Sequence, residues 1–229
     1  MNPLKRHSRL NLVGLYVAAA SIVGSLQAQV INFDITLGST DAYGPGAGVY
    51  GTSGSVWNTL SRSTSPTALA LVNDSGGSSP VTVTYVRNNG YGSGNTGTFG
   101  KLGYSHTSSG AVTLDGLTPG ALYDLVIYNA TSIGGLATSN PSFTVGASTK
   151  TATGGSDWSS LTAGVNYVEF TGVAASGGGS LSFAPTVATN PWWSAFQLRP
   201  TAAVPEPSTY GIMVGAGLMG FAAMRRLRR

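Results

Sequence analysis

The stretch Ile-Asn-Phe-Asp-Ile-Thr-Leu at residues 31–37 decides the fold class, because its apolar and polar side chains alternate without a break. Successive side chains of a β-strand point to opposite faces, so a period of two gives this segment one apolar face. No window between residues 29 and 200 keeps the 3.6-residue period of an amphipathic helix. The sequence therefore predicts an all-β domain that begins with a strand at residue 31.

Further apolar or alternating segments follow this strand, and turn-forming residues separate them. Asn, Asp, Gly and Pro concentrate at residues 73–77, 88–90, 115–120 and 176–179, where they favour turns. About ten short strands with such turns are typical of a β-sandwich or jelly roll. The other predicted strands cover residues 68–72, 81–86, 98–104, 111–114, 122–128, 142–145, 165–171, 180–183 and 193–198.

The first 28 residues have the layout of a secretory signal peptide. Residues 1–9 are basic, residues 10–26 are mostly apolar and would form the signal helix, and small or polar residues follow. We expect cleavage after Ala28, with Ser25 as the alternative site, and an uncleaved anchor helix is the competing interpretation. The β-sandwich domain is then predicted to span residues 29–200.

The C-terminal end combines a proline motif, an apolar segment and a basic cluster. Residues 201–204 are a short linker, and residues 209–224 are predicted to form a transmembrane helix, of which the apolar run 210–224 is about 22 Å long. A typical hydrocarbon core is about 30 Å thick, so this span is short. The basic cluster would be retained on the cytoplasmic side of the membrane. The motif is Pro205, Glu206 and Pro207, and the basic cluster is Arg225, Arg226, Arg228 and Arg229.

Residues 205–229 resemble the PEP-CTERM sorting domain, whose pattern is Pro-Glu-Pro, a hydrophobic helix and a terminal basic cluster. The resemblance implies processing by an exosortase, a membrane transpeptidase-like enzyme of Gram-negative bacteria, often ones that make exopolysaccharide. It also implies an inner-membrane intermediate held by the C-terminal helix. Release or attachment at the cell surface or in the extracellular matrix would follow. The resemblance says nothing about the activity of the domain.

The domain itself resembles the galactose-binding-like jelly rolls of envelope proteins. This resemblance implies a fold that many carbohydrate-binding modules share, although a fold alone does not settle a function. The segments that carry it, in this order, are residues 31–34, 56–58, 116–125, 164–170 and 195–198.

The charge and the cysteine content exclude several classes of function. Most of the Lys and Arg residues behind the formal net charge of +4 lie in the two tails, and residues 29–200 carry five basic and seven acidic residues. A nucleic-acid-binding surface needs a basic stripe, so no nucleic-acid partner is expected. The chain has no cysteine, which excludes disulfides, thiolate metal sites and a cysteine nucleophile.

Catalysis and metal binding have few candidate residues, so the sequence predicts a non-enzymatic domain without a cofactor. His106 is the only histidine of residues 29–200 and lies in a Ser/Gly-rich segment, where we expect a solvated side chain. Glu169 is the only glutamate there, whereas glycoside hydrolysis needs two acidic groups across a cleft. A structural Ca²⁺ could form at Asp41 and Asp74, but ordinary turn-forming Asp residues are favoured.

Aromatic side chains are the best ligand candidates, because Trp and Tyr rings can cover the apolar faces of sugars. Strict alternation on the last strand places Trp192 with Phe196 in the core and Trp193 on the outer face. Trp158 and Tyr91 lie in predicted loops. We therefore predict sugar contact at Trp193, Trp158 and Tyr91.

Three hypotheses follow for the function. The first is a non-catalytic, exosortase-sorted protein of the cell envelope or extracellular matrix that is associated with exopolysaccharide. The second is a carbohydrate-binding module with a defined sugar site. The third, a distant alternative, is a glycan hydrolase.

Overall fold

The computed structural model describes residues 29–38, 42–92, 97–129, 140–154, 157–186 and 192–201. These residues form thirteen strands and one short 3₁₀ helix, Gly100–Gly103, which confirms the all-β prediction. The described residues contain no helix long and apolar enough to cross a bilayer. The predicted signal peptide 1–28, the linker residues 202–204, the motif Pro205–Pro207 and the helix 209–224 lie outside them. The strands are β1 (Ile31–Thr36), β2 (Asn58–Ser61), β3 (Leu69–Val72), β4 (Ser78–Thr84), β5 (Arg87–Gly92), β6 (Ser105–Ser109), β7 (Val112–Asp115), β8 (Leu122–Asn129), β9 (Ser142–Val145), β10 (Ser148–Thr151), β11 (Tyr167–Ala174), β12 (Leu181–Pro185) and β13 (Trp192–Pro200).

The strands form two sheets, as a β-sandwich requires. One sheet has the order β11-β8-β13-β1-β2. In the same sheet, β6 pairs with the first residues of β13, and β5 pairs with β6 and forms the edge. The other sheet has the order β10-β9-β12-β7-β4-β3. All pairs of named strands are antiparallel except β1 with β2. The predicted β-sandwich is therefore confirmed, whereas the finer galactose-binding-like assignment stays a prediction.

The main core lies between the two sheets and is rich in aromatic rings. Phe33 of β1 stacks on Phe196 of β13, with their ring centroids 5.0 Å apart. Phe183 of β12 meets the same residue from the opposite sheet at 6.0 Å. All three are buried with Leu114 and Ile127 in one apolar cluster. The alternation at residues 31–37 predicted this core face correctly.

A second apolar layer covers the outer face of the first sheet. Trp57 and Tyr50, from the segment before β2, are buried against Val126, Tyr128 and Ala195 on that face. The ring of Trp57 lies 6.2 Å from that of Tyr128. This layer explains why every residue of β1, polar ones included, is buried: the strand is covered on both faces.

A buried hydrogen-bond network attaches this layer to the sheet. The amide oxygen of Gln197 accepts from the Tyr128 hydroxyl at 2.6 Å and from the Tyr50 N–H at 3.0 Å. Its amide nitrogen donates to Asn32 Oδ1 at 2.6 Å and to the Tyr50 carbonyl at 2.9 Å. A Cβ on Gly48 would come within 2.5 Å of the Tyr128 hydroxyl, so only glycine fits beside the network. The Gln197 side chain thus has its four hydrogen bonds satisfied, as a buried amide requires.

Three sequence assignments of local structure are wrong. The predicted strand at 98–104 contains instead the 3₁₀ helix Gly100–Gly103. The predicted turn at 88–90 is part of β5, and the Ser/Gly-rich segment around His106 is β6. Both strands are poor in apolar residues and are stabilised by backbone pairing with each other and with β13, which a hydrophobic pattern does not report.

The two ends of the sandwich differ in their relation to the chain. β1 begins opposite the end of β13, since Ile31 pairs with Leu198. The described chain therefore enters and leaves at the same end, which we call the base. The opposite end, where β13 begins at Trp192, is called the distal end. Pro200 lies eight residue steps after Trp192 along the strand, which is about 26 Å.

Candidate functional site

The side chain of Trp193 lies in the main core. The prediction that strict alternation places it on the outer face of the sheet is therefore wrong. Its side chain has no exposed surface. Its ring is 5.2 Å from that of Tyr85, 5.6 Å from that of Phe183 and 6.2 Å from that of Phe33. The ring offers no accessible face to a sugar.

The reason for the reversal is a β-bulge in β13. Trp193 pairs with Asn129 of β8, and Ala195 pairs with Tyr128, so β13 advances two residues where β8 advances one. The extra residue reverses the order of the two faces at that point. Trp193 therefore shares the core face with Phe196, and its neighbour Trp192 faces outward.

Trp158 is also fully buried, contrary to the expectation of a ligand contact in a loop. It belongs to the layer on the outer face, in one cluster with Leu102 and Val126. Its carbonyl accepts a hydrogen bond of 2.8 Å from the Phe99 N–H. Trp158 therefore fixes one loop to another and has no exposed face.

Tyr91 is the predicted site residue that remains accessible. It lies on β5, the edge strand of the first sheet, and 40% of the residue is exposed. Its ring meets that of Trp192 edge to face at 5.1 Å and lies nearly parallel to that of His106 at 6.5 Å. The rings of His106 and Trp192 are 5.0 Å apart. We call these three residues the distal aromatic cluster.

The sequence did not point to His106 or Trp192 as members of a site. His106 was expected in a solvated loop and Trp192 in the core, but both lie beneath Tyr91 on the outer side of the distal end. The residues of β6 are only Ser, His and Thr, so no apolar pattern indicates that this segment is a strand. The bulge that turns Trp192 outward has no local sequence signature.

His106 is buried and neutral at ordinary pH. Burial lowers the pKa of its imidazole to about 4, the nearby Arg62 acts in the same direction, and a polar contact with the Tyr104 backbone opposes both. Among the described residues, neither ring nitrogen has a hydrogen-bond partner at normal distance and angle. A neutral imidazole can donate at one nitrogen and accept at the other, so this ring has hydrogen-bonding capacity beyond its contact with the Tyr104 backbone.

Other buried polar side-chain atoms at the distal end also have no hydrogen-bond partner among the described residues. They include the Ser108 hydroxyl, both amide atoms of Asn129, the Tyr85 hydroxyl and Arg87 Nε. Ser108 pairs with Trp192 across the strands, and Asn129 pairs with Trp193. A buried polar group without a partner costs about 1–3 kcal/mol, and native structures contain few of them. Within the described part of the distal end, several polar side chains therefore keep spare hydrogen-bonding capacity.

Arg62 and two glycines set the position of β5. A Cβ on Gly90 would meet the carbonyl oxygen of Arg62 at 2.7 Å and Arg87 Nε at 3.3 Å, and a Cβ on Gly92 would lie 3.5 Å from Arg62 Nη1. The backbone of residue 62 thus packs directly on β5. This close approach holds the edge strand in place and with it Tyr91.

Catalytic and metal-ligating groups are scattered over the described residues. Glu169 accepts a hydrogen bond of 2.6 Å from the Tyr50 hydroxyl and lies on β11, away from the distal aromatic cluster. No group of three or more His, Asp or Glu side chains in the described ranges could hold a metal ion. Asp41, one of the two residues considered for Ca²⁺, lies outside those ranges. The Asp74 N–H donates to the Val30 carbonyl at 2.8 Å.

The comparisons with known proteins concern the C-terminal end of the chain. The PEP-CTERM protein-sorting motif matches residues 203–229, which begins two residues before the predicted start at Pro205. No curated protein matches the chain. The predicted PEP-CTERM signal is thereby confirmed, and it indicates an exported protein that an exosortase of a Gram-negative bacterium directs to the cell surface.

Proposed function

We propose that this protein is a non-catalytic β-sandwich of the cell envelope or extracellular matrix that associates with exopolysaccharide. The observation that carries the proposal is the distal aromatic cluster, with Tyr91 exposed above His106 and Trp192. The sorting signal supports the location of the protein, and the cluster supports its contact with a polymer.

The chemistry of the cluster suits a sugar. The C–H face of a pyranose is apolar and packs on an aromatic ring, while the tyrosine hydroxyl stays in water. Asn88 and Asn89 precede Tyr91 on the same edge strand and are exposed and half-buried, respectively. Their amides can donate to and accept from sugar hydroxyls. A single exposed ring gives a weak contact, which becomes effective when many copies meet a repeating polymer.

The position of the cluster suits a surface protein. Trp192 and Pro200 lie at opposite ends of β13, about 26 Å apart, and the sorting motif begins at residue 203. A protein held through its C-terminal side would have its base toward the cell and its distal end away from it. The cluster would then face the surrounding matrix.

A carbohydrate-binding module with a defined sugar site is the second candidate. The spare hydrogen-bonding capacity of His106 and Ser108 among the described residues favours it, because a built site would use it to orient one sugar unit. The two candidates differ in the ligand they need: a defined site binds a short oligosaccharide, whereas association with a polymer requires a long chain.

The test is a binding measurement with the purified domain, residues 29–201, on exopolysaccharide from the producing bacterium. We expect Tyr91→Ala to weaken retention about fivefold, the loss of roughly 1 kcal/mol of stacking. Leu122→Ala is the matched control, since Leu122 is 49% exposed but lies at the base. Equal retention of both variants would overturn the proposal. Equal affinity for polymer and for a tetrasaccharide would favour the second candidate.

A further inference from the structure

The chain leaves the domain at a tightly held residue. Thr201 donates its N–H to the Leu122 carbonyl at 2.9 Å and its hydroxyl to Asp124 Oδ1 at 2.7 Å. The described chain is therefore fixed to the sheet up to residue 201. The matched sorting motif begins only two residues later, at residue 203.

Asp124 is the centre of this attachment. Besides Thr201, it accepts from Arg199 Nε at 3.1 Å, from Arg199 Nη2 at 3.0 Å and from the Gly172 N–H at 3.0 Å. Burial alone would raise the pKa of Asp124, but these hydrogen bonds and the arginine charge together lower it. The Arg199 guanidinium also lies over the Tyr50 ring, 3.8 Å from its centroid. The end of β13 is thus held in place by Asp124 of β8, which Gly172 of β11 supports, and by the ring of Tyr50.

The spacing limits how far the motif can stand from the domain. A fully extended chain covers at most about 3.5 Å per residue. The two residues from Thr201 to residue 203 can therefore span at most about 7 Å, and the six to Pro207 at most about 21 Å. A folded domain of 100 residues already has a radius of gyration of about 13 Å, so an enzyme that holds this motif in its active site is larger across than these distances. It must therefore meet the base of the folded domain.

The base combines hydrogen-bonded loops, an exposed leucine and a shallow cleft. Hydrogen bonds join its loops: Leu117 N–H donates to the Gly179 carbonyl at 2.9 Å, and Gly120 N–H donates to the Ala175 carbonyl at 3.2 Å. Leu122 is 49% exposed beside the chain exit. A shallow cleft next to the exit is lined by Gln29, Ser79, Pro80, Gly116, Thr118 and Pro200.

The charge of the base favours a protein partner over a membrane surface. The loops 73–77, 115–121 and 175–180 contain two Asp residues and no Lys or Arg. Arg199, beside them, is already paired with Asp124 at 3.0 Å. Adsorption to anionic lipid headgroups needs clusters of free cations, and the described part of the base provides none.

From this geometry we infer that the base of the sandwich is an interaction surface, contacted by the sorting enzyme when it acts on the motif. The inference rests on the sorting part of the proposed function and is independent of polysaccharide association. The enzyme then has to accommodate the base whenever it acts on residues 203–229, so a charge placed on the base slows its action.

The test compares two matched surface changes in full-length chains in the producing bacterium. Leu122→Lys places a charge on the base, and Val86→Lys places the same charge on a residue that is 69% exposed near the distal end. A pulse-chase experiment with mass spectrometry follows conversion of the exported chain to its shortened form. We expect Leu122→Lys to slow conversion at least fivefold and Val86→Lys to leave it unchanged, with equal melting temperatures of the purified domains.

Two further variants keep the result interpretable. Thr118→Lys, in the cleft at the base, should slow conversion as well if Leu122→Lys proves unstable. A spacer of twelve Gly and Ser residues after Thr201 should restore the rate of both variants, because the enzyme no longer has to meet the base. Equal rates for the Leu122 and Val86 variants, or no rescue by the spacer, would overturn the inference. Alanines at Pro205–Pro207 should block conversion in every background, and failure there would point to the sorting signal itself.

Discussion

The two ends of the sandwich differ in how their polar groups are paired. At the base, loop backbones bond to one another and Asp124 accepts four hydrogen bonds. At the distal end, Ser108, Asn129 and the ring of His106 are buried with side-chain atoms that have no hydrogen-bond partner of normal geometry among the described residues. The satisfied hydrogen bonds of the base stabilise the fold. The buried polar atoms without partners in the described part of the distal end cost stability, and a role in binding would explain why they are there.

The largest expected effect comes from the core tryptophan at the distal end. Trp193→Ala removes a fully buried ring with four aromatic neighbours, so the free energy of unfolding should fall by about 3–5 kcal/mol. Tyr91→Ala, on the same end but exposed, should cost less than about 1 kcal/mol. Urea denaturation of both variants checks the pair. Similar losses would contradict the assignment of Trp193 to the core and of Tyr91 to the surface.

The second effect is a pH dependence of the free energy of unfolding, which arises from His106 at the distal end. The unfolded His106 takes up a proton near pH 6.5, whereas the folded side chain, with its pKa lowered to about 4, stays neutral. Stability should therefore fall as the pH is lowered from 7 to 4, by up to about 3 kcal/mol from this group. His106→Phe should remove that part of the slope. The measurement is the difference between wild type and variant over this range, which cancels the carboxylates common to both.

The third effect tests the base. Asp124→Asn keeps the shape of the side chain but removes its charge, so the hydrogen bonds from Arg199 are lost or weakened. We expect a loss of about 2 kcal/mol in the free energy of unfolding. Leu122→Ala, a neighbour with an exposed side chain, should change stability by less than about 0.5 kcal/mol. If Asp124→Asn is as neutral as this control, the pairing at the base does not stabilise it.

The sequence predicted the strands whose hydrophobic pattern is regular. The period of two at residues 31–37 identified β1, and similar patterns identified β8 and β9. It missed β2, β5, β6 and β10, because edge or polar strands owe their pairing to backbone hydrogen bonds and to neighbours far along the chain. Their side chains carry little local information about that pairing.

The candidate site was predicted less well than the fold, for a specific reason. Tyr91 was chosen for its residue type and is accessible, but Trp192 and Trp193 were assigned to the wrong faces. Alternation is a correct rule only while the register is continuous, and the bulge between Trp193 and Ala195 interrupts it. His106 became a candidate only when the structure brought it to Tyr91.

The smallest predicted effect distinguishes a structural role of the polar groups at the distal end from a role in ligand binding. Ser108 and Ser109 are neighbours on β6, but only the Ser109 hydroxyl is used, accepting from Trp193 Nε1 at 3.0 Å and donating to the Gly110 carbonyl at 2.9 Å. Ser109→Ala should therefore cost about 1–2 kcal/mol, whereas Ser108→Ala should leave stability unchanged or raise it by up to about 1 kcal/mol, because an unpaired buried hydroxyl is removed. Thermal unfolding measures both. If Ser108→Ala is the stable variant and also binds exopolysaccharide less well, its hydroxyl serves the ligand. If it is the less stable variant, the polar groups of the distal end are paired within the fold and the contrast between the two ends disappears.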